Sequence, residues 1–329
     1  MGFPIALVYG VVVRLRNYLY DIGFFSSNTF KTPTICVGNL SVGGTGKTPM
    51  VEFLISNLKE TNKIAVLSRG YGRKSKGWVL ANKDSSVEEL GDEPFQIFTK
   101  FPRITVAVDA DRSEGIRILE DTVRPDLILL DDAFQHRKVT PGFSILLTAY
   151  GHLYPDDKYL PTGNLRDGKK EANRADVIVV TKCPADLKLL EQTEIKDRLN
   201  PNKNQQVLFS TLAYDQMIKG KEGQFPLTDL KDRKVVLVTG IANPRPLLDF
   251  LTESGIAVEH LQYGDHHFFT DKEVDLFNSK ELVLTTEKDY SRLQGKVGNL
   301  YFLGIKHEFL ANGKTVLLKN LSAVTKHGR

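Results

Sequence analysis

The chain has 329 residues and a net charge of +4, and 41% of its residues are hydrophobic while 26% are charged. That balance excludes a disordered chain, and the length favours two domains over one. The mild excess of positive charge suits anionic ligands or a membrane surface, and without a zinc-finger or RNA-recognition pattern we expect no nucleic-acid partner. Cys36 and Cys183 lie in or beside apolar runs, as buried thiols do in a reducing compartment such as the cytoplasm.

The first element is an apolar segment over residues 5–13, which is followed by Arg14 and Arg16. It is too short to span a bilayer, which requires about 20 apolar residues, and it lacks the flanks of a signal peptide. Continued as a helix, the segment has one apolar face, so it is either an amphipathic helix in the membrane interface or a core or dimer contact. The residues on that face are Ile5, Val8, Val12, Leu15, Leu19 and Ile22.

A glycine-rich segment directly follows the apolar run 34–37 and precedes a helix predicted over 49–59. Such a turn points successive backbone N–H groups into one concavity at a helix N-terminus, where a polyphosphate binds. Lys47 is expected to reach the β- and γ-phosphates, and the Thr48 hydroxyl to bind Mg²⁺. The first residue departs from the strict P-loop pattern, because it is serine instead of glycine. The loop consists of Ser41, Val42, Gly43, Gly44, Thr45, Gly46, Lys47 and Thr48.

Cations follow the next two apolar runs along the chain. Arg69 and Tyr71 belong to a glycine-rich basic segment after the run 64–67, and Arg112 follows the run 104–108. Because ligands of α/β sheets bind at the carboxyl ends of the strands, these side chains are candidate phosphate or substrate contacts. A solvated basic loop is the alternative for the first segment.

Asp92 lies between these two cationic segments, just before an apolar helix predicted to begin near Phe95. Its carboxylate could cap that helix by accepting a hydrogen bond from a backbone N–H group. It could equally accept the proton of an attacking hydroxyl group. The local pattern favours the cap.

The apolar run 127–130 ends in two carboxylates, Asp131 and Asp132. A carboxylate at the carboxyl end of a strand beside a P-loop can hold Mg²⁺ directly or through water. Gln135 and His136 come next and are expected to face the same cleft, although a histidine in isolation is more often structural.

Apolar runs with helix-length spacers recur along the chain, which predicts an α/β fold with a parallel sheet covered by helices on both faces. A stretch without hydrophobic periodicity, residues 151–174, is the expected boundary to a second, smaller α/β domain, with a ligand cleft between the two. The predicted division is an N-terminal helix over 1–30, a P-loop domain over 31–160, a second domain over 161–305 and a C-terminal segment over 306–329 that could return to the first domain. The later apolar runs are 145–147, 177–180, 207–209, 235–238, 282–284 and 301–303.

The second half contributes His266, which stands between Asp265 and His267. Because no cysteine or third close histidine accompanies the pair, the spacing does not demand a zinc site. A histidine that a carboxylate orients can titrate near neutral pH and act in proton transfer.

A P-loop GTPase acting as a metallochaperone or assembly factor is the main alternative to a kinase. Such proteins recognise guanine through an Asn-Lys-x-Asp motif after a late strand. The comparable segment here, residues 181–184, lacks the final carboxylate, which argues against guanine.

Taken together, these segments resemble the tetraacyldisaccharide 4'-kinases, the lipid A 4'-kinase family of Gram-negative bacteria. The matching segments occur in the family's order across nearly the whole chain. Two departures are Ala133, where the family usually has glycine, and Asp167, where it often has glutamate. The segments are 37–40 with the P-loop, 68–72, 91–94, 131–137, 160–166, 240–244, 265–268 and 286–289.

The resemblance implies transfer of the γ-phosphoryl group of ATP, with Mg²⁺, to the 4'-hydroxyl of an acylated glucosamine disaccharide 1-phosphate. It also implies that the N-terminal helix docks peripherally on the cytoplasmic face of the inner membrane. Carried over to this chain, Asp92 is the base on the sugar hydroxyl and His266 its partner, with Lys47 on the phosphates. Thr48, Asp131 and Asp132 fall on the Mg²⁺ side. Candidate substrate or supporting residues are Arg69, Tyr71, Arg112, Gln135, His136 and Arg166.

Overall fold

A computed structural model describes residues 3–326 and contains one mixed sheet of thirteen strands with helices packed against it. The ends of the first and last predicted segments, residues 1–2 and 327–329, lie outside the described residues. The helices are α1 (Phe3–Asp21), α2 (Lys47–Leu58), α3 (Val87–Leu90), α4 (Asp92–Lys100), α5 (Arg112–Thr122), α6 (Leu189–Leu199), α7 (Arg245–Glu253), α8 (Asp271–Asn278), α9 (Glu287–Leu293) and α10 (Gly313–Lys326).

The strands are β1 (Thr34–Asn39), β2 (Ile64–Ser68), β3 (Val79–Leu80), β4 (Thr105–Val108), β5 (Leu127–Asp131), β6 (Phe143–Ala149), β7 (Val177–Thr181), β8 (Gln206–Gly220), β9 (Gly223–Pro226), β10 (Val235–Thr239), β11 (Val258–Gln262), β12 (Leu282–Thr286) and β13 (Leu300–Phe309). Ten of the strands coincide with the predicted apolar runs, and two of these ten, β8 and β13, are much longer than the runs. The other three strands, β3, β9 and β11, correspond to no predicted run. The order across the sheet is β11-β10-β12-β13-β8-β7-β6-β1-β5-β2-β4-β3, and β9 pairs with β8.

The P-loop half of the sheet is parallel except for the short edge strand β3. β1 lies between β5 and β6, and every residue of β1, β2, β5 and β7 is buried. Helices cover both faces, which explains why these strands read as continuous apolar runs. Met50 of α2 and Leu317 of α10 pack on one face, while Ile116 of α5 and Ile195 of α6 pack on the other.

The predicted start of a second domain at residue 161 does not coincide with a break in the sheet. β7 pairs in parallel with β6, so the strand Val177–Thr181 belongs with the P-loop half. The segment before it folds back over the P-loop instead of leading away, because Arg166 N–H donates to the Leu40 carbonyl at 2.9 Å.

Two long strands connect the P-loop half to the remaining strands. β8 begins parallel to β7 over residues 206–209 and continues antiparallel to β13. β13 in turn pairs with β12, beyond which β10 and β11 complete the sheet. The apolar runs 207–209 and 301–303 cover only part of these strands, because much of each strand is half-buried and polar residues interrupt the pattern.

Helix α1 has one face against the protein and one face exposed. Ala6, Val13 and Asn17 are buried, whereas the apolar residues around them are not. Among residues 3–326, no helix combines the length and the apolar character needed to cross a bilayer. The exposed apolar residues described at this end of the chain are Ile5, Leu7, Val8, Val11, Val12, Leu15, Tyr18, Ile22, Phe24 and Phe25.

A buried ionic cluster connects α9 to the helix of the P-loop. Lys100 of α4 lies 2.6 Å from Glu52 of α2 and 2.8 Å from Glu287 of α9. Gln96 donates a further hydrogen bond to Glu52 at 2.8 Å. Burial, followed by the Glu287 carboxylate, raises the pKa of Glu52 to about 7.

We expect Glu52→Gln to flatten the pH dependence of stability. Because the folded-state pKa of Glu52 is raised, its stabilising contribution is complete below the pKa of the unfolded chain and is lost as the pH rises through about 7. From about pH 6 to about pH 8, the unfolding free energy of the wild-type protein should fall by about 1 kcal/mol more than that of the variant. Denaturant titrations at both pH values measure this difference. Glu60→Gln, an exposed position just beyond α2, is the control, and parallel curves for the wild type and Glu52→Gln would contradict the prediction.

Candidate active site

The P-loop adopts a backbone that requires glycine at two positions. Gly43 has a φ of 111° and Gly46 a φ of 86°, both in the left-handed region that side chains disfavour. Gly46 is the N-cap residue of α2, so Lys47 and Thr48 form the first turn of the helix, two residues earlier than predicted. The first backbone N–H groups of a helix lack intrahelical partners, and this end is therefore suited to an anion.

The start of the P-loop is held by the segment that follows residue 160. Val42 N–H donates to the Asn164 carbonyl at 2.8 Å, and Ser41 forms a bridge with Leu165. Ser41 Oγ is buried and has no hydrogen-bond partner within residues 3–326. The serine at the first position therefore carries a hydroxyl group that the described residues leave unpaired.

Asn39, at the end of β1, connects the P-loop to the carboxylate pair. Its Nδ2 donates to Thr45 Oγ at 2.9 Å, and its Oδ1 lies 3.5 Å from Lys47 Nζ. Arg166 donates to this same Oδ1 and to both carboxylate oxygens of Asp132. Lys47 Nζ is itself 3.8 Å from Asp132. Arg166, whose role the sequence left open, therefore belongs to the nucleotide side of the site.

Asp131 and Asp132 are adjacent, but their surroundings drive their pKa values apart. Burial, followed by the charge of Asp132, raises the pKa of Asp131 to about 6, although Ser68 Oγ donates to it at 3.0 Å. Burial also opposes ionisation of Asp132, but Lys47 and Arg166 outweigh it and lower the pKa of that carboxyl. Asp132 is thus the member of the pair that loses its proton first as the pH rises.

Three further residues that the sequence predicted for the site lie near Asn39 and the carboxylate pair. Gln135 Nε2 donates to the Asn39 carbonyl at 2.6 Å. Arg112 is buried and donates to backbone carbonyls in its own turn, while its Nε has no partner in the described chain. His136 Nε2 also lacks a hydrogen bond there and lies 3.7 Å from Asp111, and burial lowers its pKa to about 4. His136 is therefore neutral at physiological pH.

Asp92 is not the cap of its helix, so the interpretation that the local pattern favours is wrong. The N-cap residue of α4 is Gly91, at a φ of 90°, and Asp92 begins the helix with its carboxylate turned to the second half of the chain. Asp92 Oδ2 lies 2.6 Å from His266 Nδ1. Tyr71 is exposed beside this pair, with its ring centroid 6.1 Å from that of His266, whereas Arg69 is exposed at the end of β2.

Arg292 is a site residue that the sequence did not reveal. Its Nε donates to Asp92 Oδ1 at 2.8 Å, a second nitrogen donates to Oδ2, and its side chain is only 3% exposed. Burial raises the pKa of Asp92, but Arg292 and then His266 outweigh it and lower the value. Arg292 stands three residues after Asp289, to which it also donates at 3.3 Å. The signal available in the sequence was this spacing, which places Arg292 one helical turn beyond the segment 286–289.

The segment 286–289, to which the sequence assigned no role, supports the same pair. Asp289 accepts hydrogen bonds from Gly240 N–H at 2.9 Å and from Thr286 Oγ at 2.8 Å. Lys288 Nζ lies 3.1 Å from His266 Nε2. Because the ammonium can only donate, we assign the proton of a neutral His266 to Nδ1, where it faces Asp92.

The fold and the site define a class, the P-loop phosphotransferases. A helix N-terminus with a lysine and a strand-end carboxylate pair suits a nucleoside polyphosphate. A carboxylate paired with a histidine from a distant segment suits an acceptor hydroxyl.

A family model described as tetraacyldisaccharide-1-P 4'-kinase matches residues 1–323. A tetraacyldisaccharide 4'-kinase of Flavobacterium johnsoniae is 48% identical over 314 residues, which are 94% of this chain and 92% of the relative. One of Bacteroides thetaiotaomicron is 44% identical over 88% of this chain and 82% of its own. A crystal structure of "apo" form LpxK from Aquifex aeolicus in complex with ATP superposes with a TM-score of 0.81 at 31% identity, covering 98% of both chains.

The chain belongs to the tetraacyldisaccharide-1-P 4'-kinase family, a family of lipid kinases. The resemblance and the P-loop α/β fold predicted from the sequence are thereby confirmed. The family match also favours the kinase over the assembly GTPase. The roles of the individual site residues stay predictions, which the geometry above makes specific.

Proposed function

We propose that the protein transfers the γ-phosphoryl group of ATP to the 4'-hydroxyl of a tetraacylated glucosamine disaccharide 1-phosphate in lipid A biosynthesis. The observation that carries this proposal is the family match over residues 1–323, which includes both the P-loop and the Asp92–His266 pair. Neither a nucleotide-binding module alone nor a membrane adapter explains both features.

In this proposal the P-loop holds the phosphates through the N–H groups at the start of α2, and Lys47 neutralises their charge. Thr48, Asp131 and Asp132 would hold Mg²⁺, which would supply positive charge against the phosphates. Among residues 3–326, no three His, Cys, Asp or Glu side chains group into a metal cage. This donor set fits Mg²⁺, which is usually held by one or two carboxylates together with phosphates and water.

Asp92 accepts the proton of the 4'-hydroxyl. Arg292 and His266 lower its pKa, so the carboxylate is ionised at neutral pH and ready to accept. A strong base is unnecessary, because phosphoryl transfer proceeds through a loose transition state and depends mainly on positioning. His266 holds Oδ2 at 2.6 Å and so orients the carboxylate toward the acceptor.

The acyl chains of the substrate place the reaction at a membrane, and α1 supplies a surface for it. The exposed apolar face of α1 carries Arg14 at its edge, which suits a helix in the interface with its cations at the headgroups. We infer peripheral docking on the cytoplasmic face of the inner membrane. Tyr9 and Asn17 on the buried face of α1 contact Arg166 at 3.0 Å and Asp167 at 2.7 Å, so the membrane surface and the nucleotide side would be neighbours.

The direct test of the function is transfer of ³²P from [γ-³²P]ATP to the purified disaccharide lipid in mixed micelles, with Mg²⁺. We expect Lys47→Ala to lower kcat by at least about 10²-fold, since it removes a charge that neutralises the phosphates. Its melting temperature should change little, because Lys47 is partly exposed and its ion pair with Asp132 spans 3.8 Å. Lys83→Ala, on an exposed loop, is the control. Wild-type transfer by Lys47→Ala would remove the P-loop from the mechanism.

The roles of Asp92 and His266 are tested as a pair. Asp92→Asn keeps a hydrogen-bond acceptor for Arg292 but cannot take up a proton, so kcat should fall by roughly 10²–10⁴ at saturating ATP and lipid. Because the two residues act together, adding His266→Ala should make the double variant little worse than the more damaging single variant.

The matched control for this cycle is His267→Gln, which alters the neighbouring histidine and preserves a donor to Glu273. Asp92→Asn also weakens the buried ion pair with Arg292 and is expected to lower the stability of the protein. The assays should therefore be run well below the melting temperature of the variant. Wild-type kcat in Asp92→Asn would end the assignment of the base, and fully multiplicative effects would end the pairing.

Membrane docking is tested on the exposed face of α1. Val8→Glu/Val12→Glu places two charges on side chains that are 63% and 59% exposed, so folding should be unaffected while liposome binding weakens by about tenfold or more. The control, Leu189→Glu/Leu190→Glu, charges two leucines on α6 that are 74% and 72% exposed. Co-sedimentation with anionic vesicles measures binding. Unchanged binding with a loss of self-association in sedimentation velocity would favour a dimer contact instead.

A further inference from the structure

Two side chains from other strands hold the carbonyl groups of adjacent P-loop residues. Thr181 Oγ, at the end of β7, donates to the Thr45 carbonyl at 2.8 Å. His307 Nε2, on β13, lies 2.9 Å from the Gly46 carbonyl, although 261 positions separate the two residues in sequence. His307 is 4% exposed, and nothing in the P-loop pattern points to it.

The hydrogen bonds of His307 determine its protonation. A carbonyl only accepts, so Nε2 carries the proton that faces Gly46. Ser210 Oγ, on β8, lies 3.0 Å from Nδ1 and donates its hydroxyl proton to that unprotonated nitrogen. Burial lowers the pKa of His307 to about 4, which keeps the ring neutral and leaves this one tautomer.

The Gly46 carbonyl controls the direction of the next backbone N–H group. The carbonyl of Gly46 and the N–H of Lys47 belong to one planar peptide unit and point in opposite directions. Met50 N–H, in the first turn of α2, donates to this carbonyl at 3.1 Å, and His307 occupies its second acceptor site. Glycine permits the peptide unit to rotate, so a second hydrogen bond restricts a rotation that one bond alone leaves possible.

We propose that His307 is a positioning residue for nucleotide binding, which fixes the Gly46–Lys47 peptide unit so that the Lys47 N–H points into the phosphate concavity. This inference rests on the proposed function, since it requires the P-loop to bind the phosphates of ATP. β13 also pairs with β8, and the P-loop is thus anchored directly to the strands that join the two halves of the sheet.

The test compares His307→Leu, which fills the space without a donor, with His307→Gln, which restores an N–H donor at the end of a similar side chain. Titration calorimetry with ADP and with AMP-PNP, both with Mg²⁺, measures the affinity. We expect Kd to rise about tenfold in His307→Leu and to stay within about threefold of the wild type in His307→Gln. The contact exists in both the ground state and the transition state, so KM for ATP should rise while kcat changes little.

Unchanged Kd and KM in a folded His307→Leu protein overturn the inference, as does an equal loss in both variants, which would show a packing role. If His307→Leu does not fold, His307→Phe takes its place: it keeps an aromatic ring but removes the donor to the Gly46 carbonyl, and an unchanged Kd then overturns the inference. Failure of the wild-type protein to bind either nucleotide would contradict the proposed function itself. The two failures are therefore distinguishable.

Discussion

The antiparallel pairing of β8 with β13 is the constraint on which the rest of the structure depends. β8 begins as a parallel neighbour of β7 and β13 ends the parallel group that contains β12, so both strands belong to both halves of the sheet. The P-loop lies on one side of this pair, whereas His266 and Arg292 lie on the other. Any rotation of one half against the other must therefore bend these two strands, and the register irregularity between Leu303 and Ile305 is a natural place for it.

The charges of the site are balanced by one another. Lys47 and Arg166 surround Asp132, and Arg292 with His266 surrounds Asp92. Burial makes an isolated charge costly, and each charge here already has an oppositely charged partner. A charged ligand therefore has to replace one of these partners. In the proposed mechanism, a phosphate would replace Asp132 as the anionic partner of Lys47. The lysine would therefore have a negative partner both before and after the ligand binds.

The sequence was most informative where a structure depends on neighbouring residues. The P-loop, the buried strands and the strand-end carboxylates are local patterns. Each depends on residues that are adjacent in the sequence: glycines at fixed positions, a continuous apolar run, or a carboxylate directly after such a run. The edge strands β3, β9 and β11 were missed because half-exposed strands lack an apolar run. Arg292 reaches Asp92 across 200 positions, a contact that no local pattern encodes. The same lack of long-range information made a helix cap the favoured interpretation of Asp92.

The buried face of α1 has a practical consequence for how this enzyme can be handled. Asp167 is fully buried, and Asn17 of α1 donates to it, while Tyr9 donates to the backbone of Arg166, whose side chain holds Asp132. A truncation that removes α1 to gain solubility would leave the Asp167 carboxylate without the Asn17 donor. It would also remove the contact of Tyr9 with Arg166. The apolar surface can be made water-compatible by substituting its outward side chains, but the helix itself is an internal part of the catalytic half, and a soluble version of the enzyme has to retain it.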